Sequence, residues 1–463
     1  MSSTRETTTI AALATAPVPA GIAVLRISGP EVKRVLRGVF RAKENPVESP
    51  RKLILGDLLQ RDGKETLDRG MAVYMPGPKS FTGEDVAEFH IHGSPLLAQK
   101  LLRVLFAFGV VPAEPGEFTK RAFLNGKLDL IQAEAITDFI SATSERALKI
   151  ANEQLHGRLS STLEGLGEPL RDSLAEIEAH IDFPEEDIQP ESVDKILAAL
   201  ETVHARISPL IRSYEYGAVI KEGFRVLLCG APNAGKSSLL NALLGKKRAI
   251  VSTVSGTTRD VIEEPAIIDG LRYVFCDSAG IRDTEDEVEK IGVELARERI
   301  PWADLVLLVV DAGSTDSSWS ELLHELHGSA AQIWMVTNKI DLHPEAIGTI
   351  FCDSSICPQN FYVSALTGNG MDSLRTALVE EVQRHNRNNS EASEILTNER
   401  HRGCLDHAAQ SIVRAREAIE QGLPLEIIAL EIRGALTALE EMVGKTFTED
   451  ILGRIFSKFC IGK

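Results

Sequence analysis

The stretch FRVLLCGAPNAGKSSLLNALLG, residues 224–245, decides how this chain is read. An apolar run, Phe224–Cys229, leads into Gly230-Ala-Pro-Asn-Ala-Gly-Lys-Ser237, and the helical pattern SLLNALLG follows. The eight residues fit GxxxxGK[ST] in the strand–loop–helix setting that this motif needs. Its glycines let backbone N–H groups wrap phosphates, its lysine (Lys236) reaches the β- and γ-phosphates, and its hydroxyl (Ser237) can ligate Mg²⁺. A P-loop of residues Asn233, Ala234, Gly235, Lys236, Ser237 and Ser238 is the expectation.

Downstream motifs select the base. Asn338-Lys339-Ile-Asp341 follows the apolar run Ile333–Val336. A carboxylate at Asp341 can accept both N–H groups on the Watson–Crick edge of guanine, and adenine offers no such pair. Asp277-Ser-Ala-Gly280 fits DxxG, with Asp277 supporting the metal and the Gly280 N–H meeting the γ-phosphate. Ser364-Ala365-Leu precedes a Gly-rich turn and fits the loop that backs guanine. Gly256-Thr-Thr-Arg-Asp260 lies where switch I belongs. Each match is short, but in this order and spacing they specify a GTPase. Ile281 follows Gly280, where Ras-like proteins carry a water-orienting Gln. An aliphatic side chain cannot orient water. Another group must, and the developing charge still needs a cation.

Outside this region the periodicity changes twice. Up to about residue 120, Ile22–Ile27, Leu53–Leu59, Met71–Met75 and Val86–Ile91 read as strands, and Pro95–Phe108 reads as a helix ending at Gly109. From about 121 to 215 the chain reads as helical. Leu163, Leu166, Leu170, Leu174, Ile177 and Ile181 form one stripe, and Val193, Ile196, Leu200, Val203, Ile207 and Leu210 form another. The acidic stretch Pro184–Asp187 between them reads as a solvated turn. From about 216 to 384, Phe224–Cys229, Leu271–Cys276, Leu305–Val310 and Ile333–Val336 are near-continuous apolar runs. They suit strands buried on both faces of a mostly parallel, doubly wound sheet. A polar linker, Arg384–Ser393, leads into further helices at 385–463. Those helices and the ones before 215 lack cores of their own. The economical arrangement packs them together with the α/β domain inserted between them.

Composition bounds the class. The chain has 463 residues, 43% apolar, with 50 basic and 67 acidic side chains and a net charge of −17. That length supports several domains with sizeable cores. The longest apolar run, Leu305–Val310, is far below the ~20 residues of a membrane helix. An evenly acidic surface repels phosphate backbones, so nucleic-acid contact needs local basic patches or a partner. Six scattered cysteines without a CxxC pair argue against a disulfide framework or zinc ribbon. In the N-terminal stretch, Glu6 beside Arg5 and the breakers Pro17 and Pro19 argue against a secretory signal, leaving a cytoplasmic protein as the expectation.

The nucleotide motifs, LRISG near the start, FTGED, FLNGKLDLIQAEAI and the closing FCIGK together resemble the MnmE (TrmE) tRNA modification GTPases over essentially the whole chain. The resemblance implies a multidomain α/β protein. Residues 1–120 would be an α+β folate-binding domain similar to aminomethyltransferases. Residues 121–215 and 385–463 would form a discontinuous all-α domain around an inserted Ras-like GTPase domain, 216–384. It implies a homodimer that works with the flavoprotein MnmG as a heterotetramer and has no membrane attachment. Together they would modify carbon 5 of the wobble uridine of certain tRNAs, with carbon from 5-formyltetrahydrofolate or a related folate. In the GTPase domain it implies Mg²⁺ on Ser237 and Thr258, and K⁺ on Asn233, Ser252, Val254 and Thr257. Paired G domains would complete the K⁺ site. Glu289 would orient water, and Arg282 and Asp283 would stabilise the pairing.

For folate the matching positions are Arg26, Glu88, Lys127 and Lys463; cations suit glutamate-tail carboxylates and a carboxylate suits pterin N–H groups. Cys460 reads as a small buried hydrophobe from its apolar setting and as a catalytic thiol from the resemblance. His90 and His92 alternate along a strand with no third ligand evident. Lys120, Arg121 and Lys127, and Arg400, Arg402, Arg454 and Lys458, are the local basic groups available to tRNA. The alternative reading is an RNA-binding GTPase switch of the ribosome-assembly type, which usually appends an RNA-binding module after the G domain; acidic amphipathic helices stand there instead.

Overall fold

Short alternating runs build the first sheet. They are β1 (Ile10–Leu13), β2 (Ala20–Ser28), β3 (Phe40–Arg41), β4 (Ile54–Leu59), β5 (Thr66–Met75), β6 (Val86–Gly93) and β7 (Val111–Pro112). Their order is β3-β4-β5-β6-β2-β1-β7, antiparallel except for β1 beside β7. Ala23, Leu25 and Ile27 of β2 join Phe89 and Ile91 of β6 in the core, with the helices Val32–Val39 and Pro95–Ala107 packed on that face. Period two therefore turns Arg26 and Glu88, which are register partners, to the opposite face. The structure is a computed structural model. It describes residues 8–61, 63–182, 190–245, 263–277, 300–314, 323, 332–348, 359–387 and 394–463.

The described chain divides into two units, one of residues 1–137, 153–168 and 436–463, the other of 138–152 and 169–435. The first sheet lies in the first unit. The second unit holds a six-stranded sheet of β8 (Phe224–Cys229), β9 (Glu263–Ile268), β10 (Leu271–Asp277), β11 (Leu305–Asp311), β12 (Gln332–Asn338) and β13 (Gln359–Tyr362). The order is β13-β12-β11-β8-β10-β9, and every pairing is parallel except β9–β10. Val226 and Leu228 enter one core and Leu227 and Cys229 the other, so the sheet is buried on both faces, as its unbroken apolar runs require.

Both helical stripes are real faces. The helix Arg158–Asp182 buries Leu163, Leu166, Leu170 and Ile177, and the helix Pro190–Glu222 buries Ile196, Leu200, Val203, Ile207 and Leu210. The Pro190–Glu222 helix packs against the helix Glu399–Glu420. Ser213 Oγ accepts from the Leu396 N–H at 3.1 Å, and the Arg402 guanidinium lies 5.1 Å from the Tyr214 ring centre.

Several details differ from the sequence reading. Strands β1, β3, β7, β9 and β13 are short or irregular and were not expected; nor was the helix Val32–Val39, although its buried Val32, Val35, Leu36 and Val39 follow the helical period. The helix Pro190–Glu222 runs through residue 215, and its break comes at Gly223, φ +99°, where a side chain is strained. The helix Met371–Arg387 runs through residues 384–387, the start of the expected linker. The acidic turn Pro184–Asp187 lies outside the described residues. Among the described residues no helix is long and apolar enough to cross a membrane.

The packing at Gly217 is tight. A Cβ there would lie 1.8 Å from the Leu396 carbonyl oxygen, whereas one at Gly165 would meet nothing within 4 Å. Gly217→Ala is expected to destabilise the protein by about 1–3 kcal/mol. Gly165→Ala, in an exposed helix interior, is expected to stabilise it by about 0.5–1 kcal/mol. Denaturant midpoints of the two variants check both signs.

Candidate nucleotide site and a second charged site

The nucleotide-binding loop forms where β8 ends at the centre of the sheet, the carboxyl edge at which doubly wound folds hold ligands. Gly230 has φ +145°, and a Cβ on it would sit 2.1 Å from the Val309 carbonyl oxygen. Asn233 has φ +62° and Gly235 φ +92°. The helix Lys236–Leu244 then starts at Gly235 without a side-chain cap. A helix start of this kind presents N–H groups to phosphate. Lys236 arches back over the loop, its Nζ donating to the Gly230 oxygen at 2.8 Å and the Ala231 oxygen at 3.0 Å. Asn233, Ser237 and Ser238 are exposed, and Ala234 is buried.

Asn338 joins this loop to the rest of the site. It is buried, with 1% of its surface exposed. Its Nδ2 donates to the Ala234 oxygen at 3.1 Å, and its Oδ1 accepts from the Ala365 N–H at 3.0 Å. A Cβ on Gly235 would lie 2.3 Å from that Nδ2, so the glycine is required for the amide to reach. Ser364 is fully buried and its Oγ accepts from the Thr367 N–H at 3.1 Å, which tightens the loop behind Ala365. Asp341 is exposed in the turn after β12.

Lys339 has φ +66°, and its Nζ donates to Asp311 Oδ2 at 2.7 Å. Asp311 was not foreseen; the signal available was an acidic residue directly after the buried run Leu305–Val310. Burial pushes the Asp311 carboxyl up, but the Lys339 hydrogen bond, the Gly313 N–H and the Lys339 charge outweigh this and hold it below its ordinary value. Asp277 ends β10 in register with Leu228 of β8, which brings its backbone to the same sheet edge. Ser252, Val254, Thr257, Thr258, Gly280, Ile281, Arg282, Asp283 and Glu289 lie outside the described residues, as does the Asp277 side chain.

In the first unit the structure brings two of the predicted folate residues, Arg26 and Glu88, into contact and places Lys127 and Lys463 through other partners. Arg26 Nε donates to Glu88 Oε1 at 2.8 Å. The Arg26 guanidinium stands 5.5 Å from the Phe81 ring centre and 5.8 Å from that of Phe118. The Phe118 N–H donates to the Lys463 oxygen at 3.2 Å. Lys127 Nζ donates to the Pro78 oxygen at 3.1 Å, on the loop that also carries Phe81. Phe81 and Phe118 were not expected here; Phe81 opens the FTGED motif, but that motif did not mark it as a neighbour of Arg26.

Two expectations are corrected. Cys460 is exposed, so the reading as a buried hydrophobe is wrong; its carbonyl oxygen, rather than its thiol, faces the Gly116 N–H at 3.5 Å. Arg121 does not belong to a surface basic patch. Its side chain is 7% exposed and ion-paired to Glu84 and Glu117, at 3.2 and 2.8 Å. His90 and His92 go to different carboxylates, His90 Nε2 lying 3.5 Å from Glu88 and His92 Nδ1 2.8 Å from Asp68.

Known proteins resemble this chain over its length. The family described as MnmE helical domain matches residues 130–460, and that described as GTP-binding protein TrmE N-terminus matches residues 9–127. The tRNA modification GTPase MnmE of Geobacter sulfurreducens is 42% identical over 456 residues, covering 98% of this chain and 99% of that protein. The same-named protein of Syntrophotalea carbinolica is 43% identical over 468 aligned positions, covering 98% and 99%. That of Vibrio cholerae is 41% identical over 463, covering 99% and 100%.

The depressed Asp311 carboxyl gives a pH signature. A carboxyl held below its unfolded value stabilises the fold above that value, near pH 4, and the contribution is lost as pH falls through the folded pKa. Asp311→Asn is therefore expected to lower the thermal midpoint at pH 7, and the gap to the parent to close as the pH is taken below 4. Midpoints measured across that range check it.

Proposed function

The chain belongs to the MnmE family of tRNA modification GTPases, and from that premise we propose how its residues divide the work. Asn233, Ala234, Gly235, Lys236, Ser237 and Ser238 take the phosphates of GTP. Asn338, Lys339, Asp341, Ser364 and Ala365 take the guanine. The observation that carries this reading is the buried Asn338 amide, bonded at once to Ala234 of the phosphate loop and Ala365 of the base loop. A single side chain thus fixes the spacing between the two halves of one nucleotide.

The loop suits a triphosphate and its metal. Glycines stand at the two close approaches, a lysine lies across the loop, and the exposed Ser237 sits in the first turn of the helix. Ser237 and Thr258 hold Mg²⁺, with Asp277 in support and the Gly280 N–H on the γ-phosphate. Asn233, Ser252, Val254 and Thr257 hold K⁺, which supplies positive charge to the transition state where other GTPases use an arginine. Lys236 neutralises developing phosphate charge, and Glu289 orients the attacking water. The meeting of two G domains would complete the K⁺ site, with Arg282 and Asp283 at that contact.

Arg26, Glu88, Lys127 and Lys463 receive 5-formyltetrahydrofolate or a related folate. The fit rests on one carboxylate bonded to one guanidinium that stands 5.5 and 5.8 Å from two aromatic ring centres. Such a set suits a flat heterocycle with N–H groups and a carboxylate tail. Cys460, exposed on the same segment as Lys463, is the candidate catalytic thiol. The whole works in the cytoplasm as a homodimer with MnmG on the tRNA wobble uridine. Residues 1–120 form the folate and dimer domain, and residues 121–215 with 385–463 a helical domain around the GTPase domain, 216–384.

Three experiments test the reading. Calorimetry should show saturable 5-formyltetrahydrofolate binding that weakens roughly tenfold in Arg26→Ala; absence of binding by folded, GTP-competent protein overturns the folate assignment. Asn338→Ala removes two buried hydrogen bonds and should weaken GTP binding by roughly tenfold or more. GTP turnover compared in potassium and sodium chloride tests the K⁺ site, and equal rates remove it.

A further inference from the structure

We infer that Arg121 is the positioning residue that holds the segment Cys460–Lys463 against the Arg26–Glu88 face; this rests on the folate reading above only in what the segment is for. The partners that Arg121 holds, Thr8, Glu84 and Glu117, are not among the assigned ligand groups. Its side chain is 7% exposed, and it serves acceptors from three separate parts of the chain. Nη1 donates to the Thr8 oxygen at 2.8 Å and to both Glu84 oxygens at 3.2 Å. Nη2 donates to Glu117 Oε1 at 2.8 Å.

Each carboxylate passes the constraint on. The other oxygen of Glu117 accepts from the Glu114 N–H at 2.8 Å and closes the turn Glu114–Glu117. That turn grips the segment. Pro115 bridges Ile461, the Gly116 N–H faces the Cys460 oxygen at 3.5 Å, and the Phe118 N–H donates to the Lys463 oxygen at 3.2 Å. On the far side, a Cβ on Gly462 would lie 2.3 Å from the Leu13 oxygen, so the segment is pinned from both directions. Glu84 Oε2 accepts from Ser28 Oγ at 2.6 Å, which fixes the loop that places Phe81 over Arg26 and the Pro78 oxygen on Lys127. Arg26, Lys127, Cys460 and Lys463 are therefore all set through one guanidinium.

The chemistry explains why arginine stands there. A planar fork of five donors can face three acceptors at once, and an ammonium on a flexible stem cannot hold that geometry. Without it, the buried Glu117 and the half-buried Glu84 would lose their shared cation. Both would move away from one another or draw in water, and the turn would open.

Hydrogen exchange combined with folate calorimetry on the full chain tests this. Arg121→Lys keeps the charge and loses the fork. We expect amide protection at Gly116 and Phe118 to fall by roughly tenfold and 5-formyltetrahydrofolate affinity to fall by a similar factor. Exchange in the helix Pro95–Ala107 and folate-independent GTP turnover should not change. Unchanged protection at Gly116 and Phe118 in a folded variant overturns the inference. Should Arg121→Lys fail to fold, Glu84→Gln loosens the same network from its edge. It must then lower folate affinity and deprotect Gly116 and Phe118 more than the Pro95–Ala107 amides, and a uniform change overturns the inference. A parent that binds no folate refutes the folate reading instead, and the exchange result still decides the role of Arg121.

Discussion

A buried carboxamide sets the geometry of the nucleotide half of this protein. Asn338 can reach both Ala234 and Ala365 only because β8, β11 and β12 run parallel and end at one edge, and because Gly235 presents no Cβ to it. Each of its two bonds is modest in net energy, about 0.5–1.5 kcal/mol. Their value lies in the penalty for losing them, since an amide this deep would be left without water. The constraint runs downward into sequence as well. It demands glycine at 235, a residue tolerating positive φ at 339, and unbroken apolar strands to carry the loops.

The other unit solves a similar problem with charge. Its sheet has one face on an apolar core, and the opposite face carries Arg26 and Glu88. Buried charge is weak evidence for stability, because desolvation offsets most of the attraction. What it supplies is register. An arginine between two carboxylates tolerates few arrangements, and the loop at 78–84, the turn at 114–117 and the segment at 460–463 are held in one of them.

Much of this was legible in the sequence. Long apolar runs marked β8, β10, β11 and β12, because strands buried on both faces have no polar positions to blur the signal. The two helical stripes were legible because their spacing is helical over five turns or more. The motifs gave the nucleotide loop, and Arg26 and Glu88 do meet. What escaped has physical reasons. β9 contains Pro265, which suits an edge strand and disguises it. Two-residue strands such as β3 carry no period. The burial of Arg121 depends on Glu84, 37 positions away, which no local pattern encodes; its i,i+4 pairing with Glu117 alone would suit an exposed helix face. Asp311 was hidden because its partner Lys339 is near only after β11 and β12 pair.

The grip on residues 460–463 has a consequence for how the protein is made. Synthesis is vectorial, yet the first unit draws on residues 1–137 and on 436–463. At roughly 5–20 residues per second, a ribosome needs on the order of tens of seconds to travel between those stretches. Throughout that interval the turn at Pro115–Phe118 has no partner strand, and the apolar faces of Phe123 and Leu130 wait for Leu452, Phe456 and Phe459. The six-stranded sheet of the second unit is synthesised entirely within the same interval. The unit whose synthesis begins first therefore waits on residues made after the whole of the second unit, and it closes only once they emerge.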